Sequence, residues 1–160
     1  MATQTYIPLA TTTLTANTST LTFQSIPQSY RDLVLIVSGQ GSSDSSLTFR
    51  ANGDTGANYS WMQMSGDGSS VSGGSRSPDN KDTEAIIGII DGSAVGNAIV
   101  NFQDYSITIK FTNALGRGND SNSGVRMSIG SYFNTGAITS IELRGNFGTG
   151  MILSLYGIEA

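Results

Sequence analysis

The unbroken apolar run Leu33-Val34-Leu35-Ile36-Val37, with Asp32 before it and Ser38-Gly39-Gln40-Gly41 after it, restricts the fold more than any other stretch. Its length and its three β-branched residues predict a central β-strand over Asp32 to Ser38, not a helix. Side chains alternate along a strand, so Leu33, Leu35 and Val37 share one face and Val34 and Ile36 the other. A strand with one wet face is polar at every second position, and this one is not. It needs cover on both faces. No helical periodicity appears to supply a further layer, so a second subunit is the expected cover.

The remaining segments repeat the strand pattern. Alternation or β-rich composition predicts strands at Ser19 to Phe23, Leu47 to Arg50, Tyr59 to Met64, Glu84 to Ile90, Asn97 to Phe102, Ser106 to Thr112, Val125 to Ile129, Ile138 to Leu143 and Met151 to Ile158. In Ser106 to Thr112, Ile107, Ile109 and Phe111 make the apolar face. The threonine-rich start, residues 1–18, reads as an extended N-terminal arm or edge strand, since Pro8 cannot donate to a ladder. Residues 65–83 read as one long Gly/Ser loop and residues 113–124 as a Gly/Asn loop. The expectation is a single all-β domain over 19–160, a β-sandwich or jelly roll of about eight to ten antiparallel strands.

Composition removes whole classes of chemistry. There is no cysteine and no histidine, so disulfides, thiolate nucleophiles and Ser-His or Cys-His arrangements are impossible. Charged residues are 12% of the chain and the net charge of −4 is dispersed. With no basic stripe, nucleic acid is not an expected partner. No apolar run has membrane-spanning length, so no membrane partner is expected either. The first residues lack the charged-then-apolar pattern of a secretory signal, which predicts synthesis in the cytoplasm. No phosphate-binding or nucleophile-elbow motif occurs. No cofactor is expected.

Three groups are worth weighing as sites. Asn52, Asp54 and Asn58, and separately Asp79, Asn80, Asp82 and Glu84, offer oxygen ligands for Ca²⁺. Neither fits the EF-hand pattern, and a solvated loop is the plainer reading. Tyr59 and Trp61, on one face of a strand, could stack on a sugar ring, although a lone Trp is more often core or interface. The acidic residues are too dispersed to suggest a glycosidase pair.

Three motifs carry a resemblance. Ile26-Pro27-Gln28-Ser29-Tyr30-Arg31-Asp32-Leu33-Val34-Leu35, the loop Asn52-Gly53-Asp54-Thr55-Gly56-Ala57-Asn58-Tyr59-Ser60 and the ending Ile138 to Leu143 through Ser154-Leu155-Tyr156-Gly157-Ile158 resemble segments of small β-rich virion proteins of tailed bacteriophages, especially aquatic and cyanobacterial ones. They cover about half the chain in the expected order. The resemblance implies a non-enzymatic structural component located in the virion. With no fibrous repeat or heptads, a head decoration (cement) protein is expected, bound as a homotrimer to the major capsid protein on the capsid surface. A tail-tip or tail-fibre module binding host-surface carbohydrate through Tyr59 and Trp61 is the alternative. The residues expected at oligomer or capsid contacts are Tyr6, Ile7, Leu9, Val34, Ile36, Ile87 and Ile89. No catalytic or metal residue is expected.

Overall fold

The structure, a computed structural model, describes residues 5–77, 81–120 and 124–159. Among these there is no helix. Twelve strands run in chain order: β1 (Tyr6–Thr13), β2 (Thr18–Phe23), β3 (Asp32–Gly39), β4 (Ser45–Ala51), β5 (Tyr59–Gly66), β6 (Val71–Arg76), β7 (Ala85–Ile90), β8 (Gly96–Gln103), β9 (Thr112–Asp120), β10 (Gly124–Tyr132), β11 (Ile141–Phe147) and β12 (Ile152–Ile158). All pairings are antiparallel. They form a sandwich of unequal sheets. The large sheet has the order β1-β12-β3-β8-β9-β10-β5-β6, and the small one β2-β11-β4-β7.

The β3 run sits mid-sheet between β12 and β8, as its composition requires. Leu33, Leu35 and Val37 point at the small sheet and are buried. Opposite them, Phe49 on β4 meets Phe102 and Tyr59 edge-to-face, with ring centroids 5.1 and 5.9 Å apart. Such aromatic contacts join the two layers through their largest buried areas. The layers come closest where β7 crosses β9 and β10. A methyl group on Gly116 would stand 1.8 Å from the Ile87 carbonyl oxygen, and one on Gly130 2.8 Å from the Ala85 Cβ. Glycine within these two strands therefore marks the approach of another backbone.

Of the two readings of the N-terminal segment, arm or edge strand, Tyr6–Thr13 takes the second, hydrogen-bonded to β12. Three expectations need correction. The stretch 65–83 is not one long loop, because β6 pairs with β5 from Gly66↔Val71 to Trp61↔Arg76. The Asp67 carboxylate closes that hairpin by accepting hydrogen bonds from the Ser69 and Ser70 amides and hydroxyls, which hold it well below the usual carboxylate range. The predicted strand over Ser106 to Thr112 is instead mostly a loop, with Ile107, Ile109 and Phe111 exposed. The predicted loop over 113–124 is largely strand, as β9 and the start of β10. Its glycines deny it the look of a strand, yet they are what lets β7 lie across it.

Candidate functional site

The outer face of the large sheet is the surface that sets this protein apart. Register places Met62, Ile129, Leu115, Asn101, Val34 and Tyr156 in one row across six strands. The adjacent row is Met64, Met127, Arg117, Ile99, Ile36 and Ser154. Among the described residues no further layer of the chain lies over these rows. Eight large apolar side chains on this face, Tyr6 and Val71 at its edges included, are between 38% and 76% exposed. At the β5–β10 end they line a groove of about 600 Å³, whose lining includes Met64, Val71, Ile99, Val125 and Met127, with Arg117 beside them.

The alternation in β10 is inverted. Val125, Met127 and Ile129 are the apolar positions of an alternating strand and would be expected in the core. They face out instead, while Ser128 and Gly130 face in and are buried. The cause is β7: it lies so close to β10 that only small residues fit between. Ser128 Oγ is buried there without a hydrogen-bond partner. Large apolar residues were thus placed where this chain alone leaves them in water. An exposed contiguous apolar area of this kind marks an interaction surface.

The contact residues expected from sequence distribute unevenly. Tyr6 is exposed on this face and packs edge-to-face on Tyr156 at 6.4 Å. Ile36 lies half-buried in the second row. Val34 belongs to the first row but is 4% exposed, closed in by its neighbours. Ile7 and Leu9 are half-buried on β1, Leu9 against the core. Ile89 is half-buried on β7, in the other sheet. Ile87 is wholly buried in the core beneath β9 and β10, and so offers no contact surface. The exposed methionines and valines of β5, β6 and β10 were missed, although the Val125-x-Met127-x-Ile129 alternation held the signal; what it lacked was which face was inside.

The sugar-stacking expectation fails at Tyr59, which is fully buried and stacked on Tyr132 at a centroid distance of 5.0 Å. Trp61 faces the interior, partly exposed and packed on the core. Its indole Nε1 is buried without a hydrogen-bond partner. No aromatic platform open to solvent is formed by this pair.

The residues weighed as calcium ligands are engaged elsewhere. Asn52 adopts a left-handed backbone, φ 54°, which Asn tolerates. Its Oδ1 accepts from the Thr139 and Ser140 amides at 2.8 and 3.2 Å, and its Nδ2 donates to the Ala137 carbonyl at 2.9 Å. Asp54 Oδ1 accepts from the Gly56 amide at 2.8 Å; Oδ2 accepts from Asn58 Nδ2 at 2.9 Å and the Tyr132 hydroxyl at 3.0 Å. The Tyr59 hydroxyl accepts from the Ala51 amide and donates to the Asp54 carbonyl, both at 3.0 Å. The segment is an exposed loop, as the plainer reading has it, braced by a knot of internal hydrogen bonds that already engages the Asn52 and Asp54 side-chain oxygens. In the second cluster, Asp79 and Asn80 lie outside the described residues, Asp82 faces Arg76 at 3.5 Å, and Glu84 belongs to the ion pairs below. Among the described residues, no three acidic side chains converge.

The knot ties stability to pH at both ends. Burial acts to raise the Asp54 carboxyl, but its hydrogen bonds from Gly56, Asn58, Tyr132 and Asn134 outweigh that and hold it low. A lowered folded value gives stability that is fully present above the unfolded value of about 4 and is lost as pH falls through the folded value. Asp54→Asn is expected to flatten the acid limb of a melting-temperature profile between roughly pH 5 and pH 3; an unchanged limb would mean the knot contributes nothing. Tyr132 behaves oppositely: burial, and then the Asp54 hydrogen bond, push its phenol up to about 12. Its contribution is intact below pH ~10 and is lost as pH rises through the folded value. Burial raises Tyr59 and Tyr105 as well. These three phenols are expected to ionise late, together with unfolding, in an ultraviolet titration.

The small sheet's outer face is polar by contrast. Arg50 faces Glu84 and Glu142 at 3.5 and 3.8 Å, and Arg144 faces the same two carboxylates at 2.8 and 3.1 Å. The four make a closed ring of alternating charge. Each carboxylate is held between two guanidinium groups.

No family model matches this chain, and no curated protein matches it. Among solved structures, a lectin from Bauhinia forficata in complex with GalNAc is similar over 86% of this chain and 77% of that one, at 9% sequence identity. The TM-score of 0.20 is below that of a shared fold.

Proposed function

We propose that this chain is a non-enzymatic structural protein of a tailed-phage virion: a head decoration protein that stabilises the shell by binding the major capsid protein from outside. The observation that carries a structural role is the large sheet's outer face, apolar at positions the fold itself leaves exposed. A catalyst concentrates convergent polar groups with perturbed titration in a cleft. Here the groove is apolar, and the perturbed groups Asp54 and Tyr132 are consumed by a hydrogen-bonded knot. The phage assignment rests on the three sequence motifs. One of them is the Asn52–Ser60 loop that forms this knot, and another contributes β12, between β1 and β3.

The test compares virions with and without the protein. Particles lacking it are expected to release DNA at lower temperature, and adding the purified protein back restores the difference. Equal heat stability of both particles would count against cementing. Gold-tagged antibody on intact virions gives the location: dense labelling over the head is expected, and label confined to the tail would replace the capsid with a tail site.

A further inference from the structure

We propose that the outer face of the large sheet packs against the same face of a second copy, making a two-fold dimer. This rests on the reading of the chain as an assembly protein, and names what covers that face. The first ground is the inverted strand β10. Its outward Val125, Met127 and Ile129 continue into Met62 and Met64 of β5 at matching register. They form an apolar area, hollowed at the β5–β10 end, built of alternate side chains from adjacent antiparallel strands. The face of another sheet can cover such an area, since sheets stack about 10 Å apart with strands about 30° from parallel. Methionine side chains adapt to whatever relief they meet.

The second ground is extent. Eight apolar side chains with four-tenths to three-quarters of their surface bare match the scale of roughly 800 Å² per partner that a stable interface covers. The third is charge. In the two middle rows Arg117 is the one charged residue. A partner selected by charge would have a single guanidinium to recognise, whereas a self-facing surface needs few charges because like would meet like. The Arg117 stem can lie on the apolar rows with its head at the rim. A contact in which the same patch serves both partners closes at two copies. Two, not three, is therefore the assembly unit this face makes.

The purified full chain is measured by light scattering and sedimentation. The expected mass is that of two chains of 16.7 kDa each. Met127→Asp is expected to weaken association at least about a hundredfold, by setting a carboxylate in the centre of a desolvated face, while circular dichroism stays unchanged. The chain has no cysteine, so a Cys scan of Met64, Ile99 and Met127 gives unambiguous cross-links. At least one of the three is expected to form a disulfide-linked pair on mild oxidation, while Ile109→Cys in the 104–111 loop does not. A one-chain or three-chain mass overturns the dimer, as does a two-chain mass that Met127→Asp leaves intact. A single chain whose Met127→Asp variant no longer binds virions would assign the face to the capsid, leaving cementing in place. A dimer whose absence does not alter virion heat stability would do the reverse.

Discussion

Gly116→Ala is expected to lower the melting temperature by roughly 6–12 °C, and Gly116→Val to yield no folded protein. The argument is steric. Gly116 lies on β9 under the β7 backbone, where a Cβ would fall 1.8 Å from the Ile87 carbonyl oxygen and 2.8 Å from its carbon. A flexible side chain would swing away from such a contact; a carbonyl in a strand cannot. Either β7 lifts, opening a gap beside Ala85 and Ile87, or β9 bows outward. Overpacking of this kind costs about 3 kcal/mol or more, and each kcal/mol is worth about 2–4 °C in a domain this size. Gly66→Ala is the control. It lies in the same sheet, where a Cβ would meet nothing closer than 3.8 Å, and is expected to melt within about 2 °C of the parent. A Gly116→Ala melt equally close to the parent would show that β7 does not bear on β9 as described.

Phe49→Ala is the second large effect, expected at about 3–5 kcal/mol by denaturant unfolding. The ring is wholly buried, contacts Phe102 and Tyr59 across the layers, and pairs in register with Leu143 and Ala85. Its removal leaves a cavity between two sheets whose backbones are held apart by other side chains, so collapse is limited. The hydroxyl of Tyr59, positioned partly by that contact, holds the Ala51 amide and the Asp54 carbonyl. Phe49→Leu retains most of the volume and is expected to cost less than about 1.5 kcal/mol. A loss below about 2 kcal/mol for alanine would mean the layers close over the gap.

The sequence made the all-β sandwich legible because its strongest signals are local. The five-residue run of β3, the final strand after Gly150 and the apolar stretch before Asp91-Gly92 all sit near their predicted bounds. What was not legible depends on which backbone passes over which. Gly116 and Gly118 read as loop residues until β7 is placed across β9. Ile107, Ile109 and Phe111 alternate like a buried strand, yet they lie in an exposed loop, with Phe111 edge-to-face on Phe133 at 5.3 Å. Val125, Met127 and Ile129 carry the right period with the opposite facing. Tyr59 reads as a surface aromatic, but its hydroxyl has partners in the Asn52–Asn58 turn that no spacing rule anticipates. In each case periodicity gives the alternation, and only the neighbouring layer decides which side is inside.

The position of β12 between β1 and β3, and of β11 between β2 and β4, has a consequence for biosynthesis. Both late strands fill slots between strands translated long before them: β12 pairs with β1 and β3, and β11 with β2 and β4, the shortest separation being Ile141↔Ala51. Until residues 141–158 leave the ribosome, β1 and β3 have no strand between them, and neither do β2 and β4. Open β-edges held waiting are the usual seeds of misassembly, and pairing across so long a stretch of chain is slow. The two sheets therefore close only when β11 and β12 take their places, and the earlier strands on either side of each slot wait for them with the edge that faces it unpaired.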